Sequence, residues 1–302
     1  MTIEIVTIPY RYDDYLVGLG RGPQAMLKAG LQKRLAAAGI ATGAVREATL
    51  PDEGRVDGPR AANIGRLGNR TALAVAEARG DGNPVLVLAG DDTAAIGIVS
   101  GLQDAHSPTV SIGLLWIDAH ADFNTPETTV SGILAGMPVS ILAGLAGPVW
   151  RESAQLDATI PTDRILIAGT REIEEKEEVL LRSTNVRVIT TDEIQAGHTF
   201  ENAVDRLAER VEMLYVNIDL DVLDPSLVPS ATTPSPNGLT IKQAARMLKY
   251  AISTGKTAVI AVTSLNPGGR QRGERSTESA MALLESSLGG WNAMKGADHA
   301  ES

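Results

Sequence analysis

Cysteine is absent from this 302-residue chain, so disulfides, thiolate nucleophiles and Cys-based zinc or iron–sulfur sites are excluded at the outset. Histidine is scarce, with four copies, which leaves Asp and Glu as the main supply of strong metal ligands. Aromatic residues make up only 3% and the formal net charge is -10, so the chain has neither a basic face for a phosphate backbone nor stacking platforms for single strands. Nucleic acid is therefore not an expected partner. No apolar stretch reaches the ~18 residues of a membrane span. The start, Met1-Thr2-Ile3-Glu4-Ile5-Val6, is acidic and strand-like where a signal peptide would be basic and then continuously apolar. These features predict a cytoplasmic protein with no membrane contact.

What is present suits an ordinary globular protein with a sizeable core: 43% hydrophobic and 21% charged residues. The expected organisation is a single domain over 1–302, with a flexible tail over 289–302 whose one large apolar residue is Trp291. Short β-branched apolar runs near 3–7, 85–88, 112–117, 164–168, 186–190, 213–218 and 257–262 alternate with longer Ala/Leu-rich segments, the pattern of βα units and a mostly parallel sheet. Each run is nearly continuously apolar, as a strand covered on both faces must be. Pro23 suits the first turn of a helix carrying Met26, Leu27, Leu31 and Leu35, and further helices are predicted over 60–79, 241–253 and 275–288. Segments 51–59, 124–138, 224–238 and 266–273 read as loops, and the last three follow predicted strands. Ligands of parallel α/β sheets gather beyond the carboxyl ends of the strands, where such loops converge.

Two acidic clusters sit at those ends. Asp118-Ala119-His120-Ala121-Asp122 closes the run Ile112 to Ile117, and Asp219-Leu220-Asp221 closes Leu214 to Ile218. Side chains alternate along a strand, so Asp118 and His120 share one side, as do Asp219 and Asp221. Four carboxylates so placed repel one another unless cations lie between them, and an oxygen-rich set with one imidazole suits Mn²⁺ or Mg²⁺. The tripeptide Asp104-Ala105-His106 repeats the pattern without a preceding buried strand and reads as a surface turn; His198 and His299 read as surface residues. No G-x-x-x-x-G-K loop and no G-x-S-x-G elbow is present.

At this point the chain resembles the ureohydrolases, the arginase, agmatinase and formiminoglutamase group, whose fold is shared by deacetylase-like enzymes. The motifs that carry the resemblance run from Gly20-Arg21-Gly22-Pro23 through Gly90-Asp91-Asp92-Thr93, Asp118 to Thr125 and Gly169-Thr170-Arg171-Glu172. They continue through Asp219 to Pro225, Thr233-Pro234, Gly238-Leu239-Thr240 and Leu265-Asn266-Pro267. The resemblance implies a three-layer α/β/α fold with a central parallel sheet of about eight strands, and a homo-oligomer, trimer or hexamer. It also implies a binuclear manganese site and a small-molecule substrate. Asp118, His120, Asp122, Asp219 and Asp221 match five of the family's six metal ligands, with Asp118 and Asp219 at the bridging positions. A hydroxide between the metals is the implied nucleophile on an sp² carbon, expelling an amine. Asp224 matches a structural aspartate before proline.

Four positions depart from the family pattern. Asp92 stands where the sixth ligand is a histidine; it still allows two metals, or one if it turns away, and its charge would reduce their Lewis acidity. Ile133 and Ala135 replace an asparagine that holds an amino-acid substrate and a histidine that moves protons. Ser264 replaces a glutamate that pairs with guanidinium, so arginine or agmatine loses its bidentate anion. Glu174 and Glu177 match acidic positions near a substrate amino group, and Asn124 and Thr233 fall in matching substrate-side motifs. The expected function is a manganese-dependent hydrolase of a non-peptide C–N bond in a guanidine-like, amidine or amide substrate other than free arginine. The competing expectation is a catalytically silent binding or scaffold protein; a deacetylase-like amidohydrolase is disfavoured by the lack of paired histidines.

Overall fold

The computed structural model describes residues 2–80, 82–197 and 199–291; His198 and His299 lie outside the described residues. Eight strands form one sheet: β1 (Ile3–Ile8), β2 (Thr42–Glu47), β3 (Val85–Ala89), β4 (Ile112–Ile117), β5 (Ile165–Thr170), β6 (Arg187–Thr190), β7 (Met213–Asp219) and β8 (Thr257–Thr263). Their order is β2-β1-β3-β8-β7-β4-β5-β6, and all seven pairings are parallel. The expected α/β/α architecture is thus present, and the sheet is wholly parallel where the sequence pattern predicts a mostly parallel one.

Period-two alternation builds the layers. Ile5, Leu86, Leu88, Leu115 and Ile117 face one core, while Val6, Val85, Val87, Leu114 and Trp116 face the other. The first core is covered by α1 (Gly22–Lys28), α2 (Leu31–Ala37), α9 (Thr199–Glu209), α10 (Ile241–Ser253) and α11 (Gln271–Ser287). The second lies beneath α3 (Arg60–Arg79), α4 (Ala95–Ala105), α5 (Pro138–Leu142) and α6 (Pro148–Ala154), with Leu181 of α7 (Glu175–Arg182) at its margin. The short α8 (Thr191–Ala196) follows β6.

Several expectations are corrected. Strand β2 went unpredicted because Thr42-Gly-Ala-Val-Arg-Glu carries one large apolar residue and contains no buried position, as an edge strand can afford. The helix expected from Pro23 is two helices, broken at Ala29-Gly30, where Gly30 takes φ 85°. The final helix starts at Gln271, four residues early, and takes up the end of the predicted loop. Trp291, assigned to the tail, is buried against the first core and donates its Nε1 hydrogen to the Thr257 carbonyl at 2.8 Å. Asp104-Ala105-His106 ends α4 rather than forming a turn, and His106 accepts from the buried Arg79 at 3.1 Å. No helix among the described residues is long and apolar enough to cross a membrane.

The chain leaves β3, runs through α4 and returns in β4, three positions across the sheet. The four central strands β3, β8, β7 and β4 therefore end side by side, and a cavity of about 640 Å³ opens beyond their carboxyl ends.

Candidate functional site

Each central strand delivers polar residues to the cavity as its apolar run ends. Asp92 follows β3, Thr263 and Ser264 close and follow β8, Asp219 ends β7, and Asp118 follows β4. Asp118 is fixed from both sides: Trp116 donates Nε1–H to its Oδ2 at 3.0 Å, and the His120 amide donates to its Oδ1 at 2.7 Å. Asp219 accepts the Asp221 amide at 2.7 Å and caps a 3₁₀ turn over Leu220–Val222. Side-chain convergence in the second cluster thus comes from a turn and not from strand alternation alone. Asp122 sits in a left-handed backbone, φ 49°, which an aspartate adopts only where its surroundings enforce it.

Two trios result. Ligand atoms of Asp118, His120 and Asp221 lie within 4.8 Å of one another, and so do those of Asp92, Asp118 and Asp122. Asp118 belongs to both. His120 directs Nδ1 at Asp221 (3.2 Å) and Asp118 (3.4 Å), and Nε2 at Glu172 (3.5 Å). Asp219 is outside both trios; it stands beside Asp92, close enough for a shared hydrogen bond when one of them is protonated. Asp92 points into the site. Its Oδ1 accepts from Asn217 (3.0 Å) and Thr263 (2.7 Å), and its Oδ2 from Ser264 (3.1 Å).

Without a cation this arrangement binds protons. Burial, then the Asp221 charge, push Asp118 up to about 8. Burial and surrounding carboxylates hold Asp122 and Asp219 well above the usual range, and burial raises Asp92 despite its hydrogen bonds. Burial works against the charged form of His120, yet hydrogen bonds and charge from Asp118 and Asp221 push it up to about 12. Asp221 alone goes down: burial opposes the shift, but His120 and a 2.8 Å hydrogen bond from Thr233 outweigh it. Five buried carboxylates and one imidazole form an oxygen-rich donor set whose mutual repulsion a divalent cation relieves, so the residues fit a manganese- or magnesium-type ion.

All four residues expected on the substrate side line the cavity, and all four have partners inside the protein. Ser264 donates to Asp92 and Thr233 to Asp221. Asn124 accepts from Thr128 at 2.8 Å, and Glu174 accepts the Val130 amide at 2.9 Å. Glu177 is buried and accepts the Phe123 and Glu174 amides, which makes it a framework residue. Asp224 accepts the Ser226 amide at 3.0 Å, in keeping with a turn role. Ile133 and Ala135 both line the cavity wall.

Trp116, Asn217 and Thr263 escaped the sequence reading. The signal was present for two of them, since a lone Asn or Thr inside an apolar strand must find a buried partner. Arg11 and Tyr12 were also missed; they lie in a short antiparallel ribbon, Tyr10–Arg11 with Asp14–Tyr15, that nothing in the periodicity brings to the cavity.

Residues 1–289 match the model of the arginase family. The chain is 30% identical to an arginase of Glaciozyma antarctica (strain PI12) over 88% of this chain and 81% of that one. It is 30% identical to arginase-1 of Homo sapiens over 88% of this chain and 85% of that one. The crystal structure of arginase from Bacillus subtilis superposes with a TM-score of 0.80 at 26% identity, covering 96% of this chain and 99% of that one. The family match over residues 1–289 and the likeness along nearly the whole length agree, and this chain belongs to the arginase family.

Proposed function

We propose that the chain is a manganese-dependent hydrolase that cleaves a non-peptide C–N bond in a guanidine-like, amidine or amide small molecule other than free arginine. The observation that carries the reading is the convergence of two ligand trios on Asp118. In this reading Asp92, Asp118 and Asp122 would hold one ion and Asp118, His120 and Asp221 the other, with Asp219, beside Asp92 and outside both trios, adding a further carboxylate. Divalent cations held there supply the positive charge that acidifies water and polarises the carbon under attack.

The chain's own residues limit the substrate. Ala135 has no proton to give, and loss of a general acid costs ~10²–10⁴ in rate unless the departing amine needs little protonation. Ser264 directs its hydroxyl to Asp92, so position 264 provides no anion for a guanidinium. Weakly basic leaving amines are therefore favoured. Hydroxylated guanidines are expected to turn over faster than plain ones with manganese, read by release of ammonia, urea or free amine; the reverse ranking removes this reading.

One observation favours a second reading, a binding or scaffold protein without turnover: Ser264, Thr233, Asn124 and Glu174 all have partners in the protein. Stoichiometric manganese by elemental analysis, with no product from any guanidine, amidine or amide in the screen, supports it. The trimer or hexamer implied by the resemblance belongs to the proposal as well, and sedimentation velocity tests it.

A further inference from the structure

Two guanidinium groups line the cavity, and they differ in what they have left to offer. Arg171 spends its donors on carbonyl oxygens of Gly169, Asp221, Val222, Ser235 and Pro236. The Arg11 side chain is exposed and makes no hydrogen bond or ion pair among the described residues; its guanidinium carbon lies 5.7 Å from the centroid of the Tyr12 ring. Arg60 lies 5.6 Å from the same centroid but is committed to Asp13 and Asp14.

Tyr12 is a built support. Its backbone is left-handed, φ 58°, a conformation that a tyrosine adopts only under constraint, and Asp91 holds it there by accepting its amide at 2.7 Å. Asp91 is itself buried and anchored by Thr93. A guanidinium resting on an aromatic ring keeps its donor edge free for a planar anion, and the stacking reduces the freedom lost on binding. The floor of the cavity, by contrast, is carboxylate-rich and accepts cations.

We propose that Arg11 is a specificity-determining residue for a bipolar ligand: its carboxylate end pairs with Arg11 at the rim while its guanidine-like end reaches the carboxylate-lined floor. This deepens the hydrolase reading and rests on it for the identity of the deep end.

The test uses full-length manganese-loaded protein and titration calorimetry with three guanidinium compounds that differ at the far end: 4-guanidinobutanoate (carboxylate), 4-guanidinobutanol (uncharged hydroxyl) and agmatine (a second cation). The expected order of affinity is acid, alcohol, amine, with the acid ahead of the alcohol by roughly tenfold or more, the scale of a charge-assisted hydrogen-bonded pair. Arg11→Met is expected to erase the acid's advantage and leave alcohol affinity and manganese content unchanged; Arg11→Lys, which keeps charge but not the fork, restores part of it. An acid-to-alcohol ratio unaltered by Arg11→Met, or agmatine binding best to the wild type, overturns the Arg11 assignment and leaves the guanidine reading standing. Failure of all three probes to bind overturns both. An Arg11-dependent preference for the acid without turnover keeps the Arg11 assignment and removes the hydrolase.

Discussion

At Asp92 a carboxylate stands where the family resemblance leads one to expect histidine, and Asn217, Thr263 and Ser264 hold it facing the cavity. Partners of this kind orient a ligand, and their loss typically costs ~10–100-fold in metal affinity. Asn217→Ala is expected to weaken manganese binding by about that factor, and Ser264→Ala by less, since two donors to Asp92 remain; competition with a chelating dye reads both. Asp118 moves from 3.8 to about 8 and His120 from 6.5 to about 12, so each stabilises the metal-free protein at low pH and loses that contribution as pH rises through the folded value. Asp221, shifted down, works the other way and matters only as pH falls below its usual range. Metal-free protein should therefore lose melting temperature between about pH 4 and pH 8. Manganese should remove most of that slope and release protons on binding, measurable as a buffer-dependent heat. A flat profile for the metal-free protein contradicts the assignment of a shared charge burden at Asp118.

Among the elements, α3 and α4 show how closely backbones approach where side chains are missing. A Cβ on Gly97 of α4 would collide with the Gly68 carbonyl of α3, and one on Gly101 with that of Ala72. Backbone cannot yield as a side-chain tip can, so Gly97→Ala is expected to destabilise by about 1–3 kcal/mol in urea denaturation. On the opposite layer, Thr240 and Gln243 form a capping box at the start of α10, and Thr240→Ala should cost about 0.5–2 kcal/mol. The buried central strands were legible in the sequence because each is a nearly continuous apolar run, and α10 was legible because stripe and cap agree. Helices α4 to α6 were not: α4 is apolar nearly all round, and α5 and α6 are too short for a 3.6-residue period to emerge. Of the site, Asp118 to Asp122 and Asp219 to Asp221 could be found because strand and cluster adjoin. The support given by Trp116 is local, two residues from Asp118, but a tryptophan inside an apolar run reads as core; Arg11 and Tyr12 reach the cavity only through folding across distant segments.

Across the molecule, the carboxyl-terminal segment is tied to the sheet through Trp291, whose ring packs on the first core and whose indole reaches Thr257 at the start of β8. Trp291→Ala is expected to cost about 3–5 kcal/mol, seen as a lowered midpoint in thermal or urea unfolding. Because β8 carries Thr263 at its other end, a shift of manganese affinity in the same variant would report that the strand transmits the disturbance; unchanged affinity would confine the damage to the base of the sheet.

Arg171, stitched to five carbonyls drawn from the ends of β5, β7 and the 235–236 loop, makes one side of the cavity mouth unyielding. Residues 130–133, with Val130 at 83% exposure and Ile133 at 43%, are held by the Val130 amide's bond to Glu174 and by short-range bonds of Gly132 to Thr129 and Ile133 to Ser131. Their partners are single and solvent-facing where Arg171 joins five carbonyls at once, so longer or bulkier molecules are expected to find room on the 130–133 side, and hydrogen exchange there is expected to outpace that of the amides near Arg171.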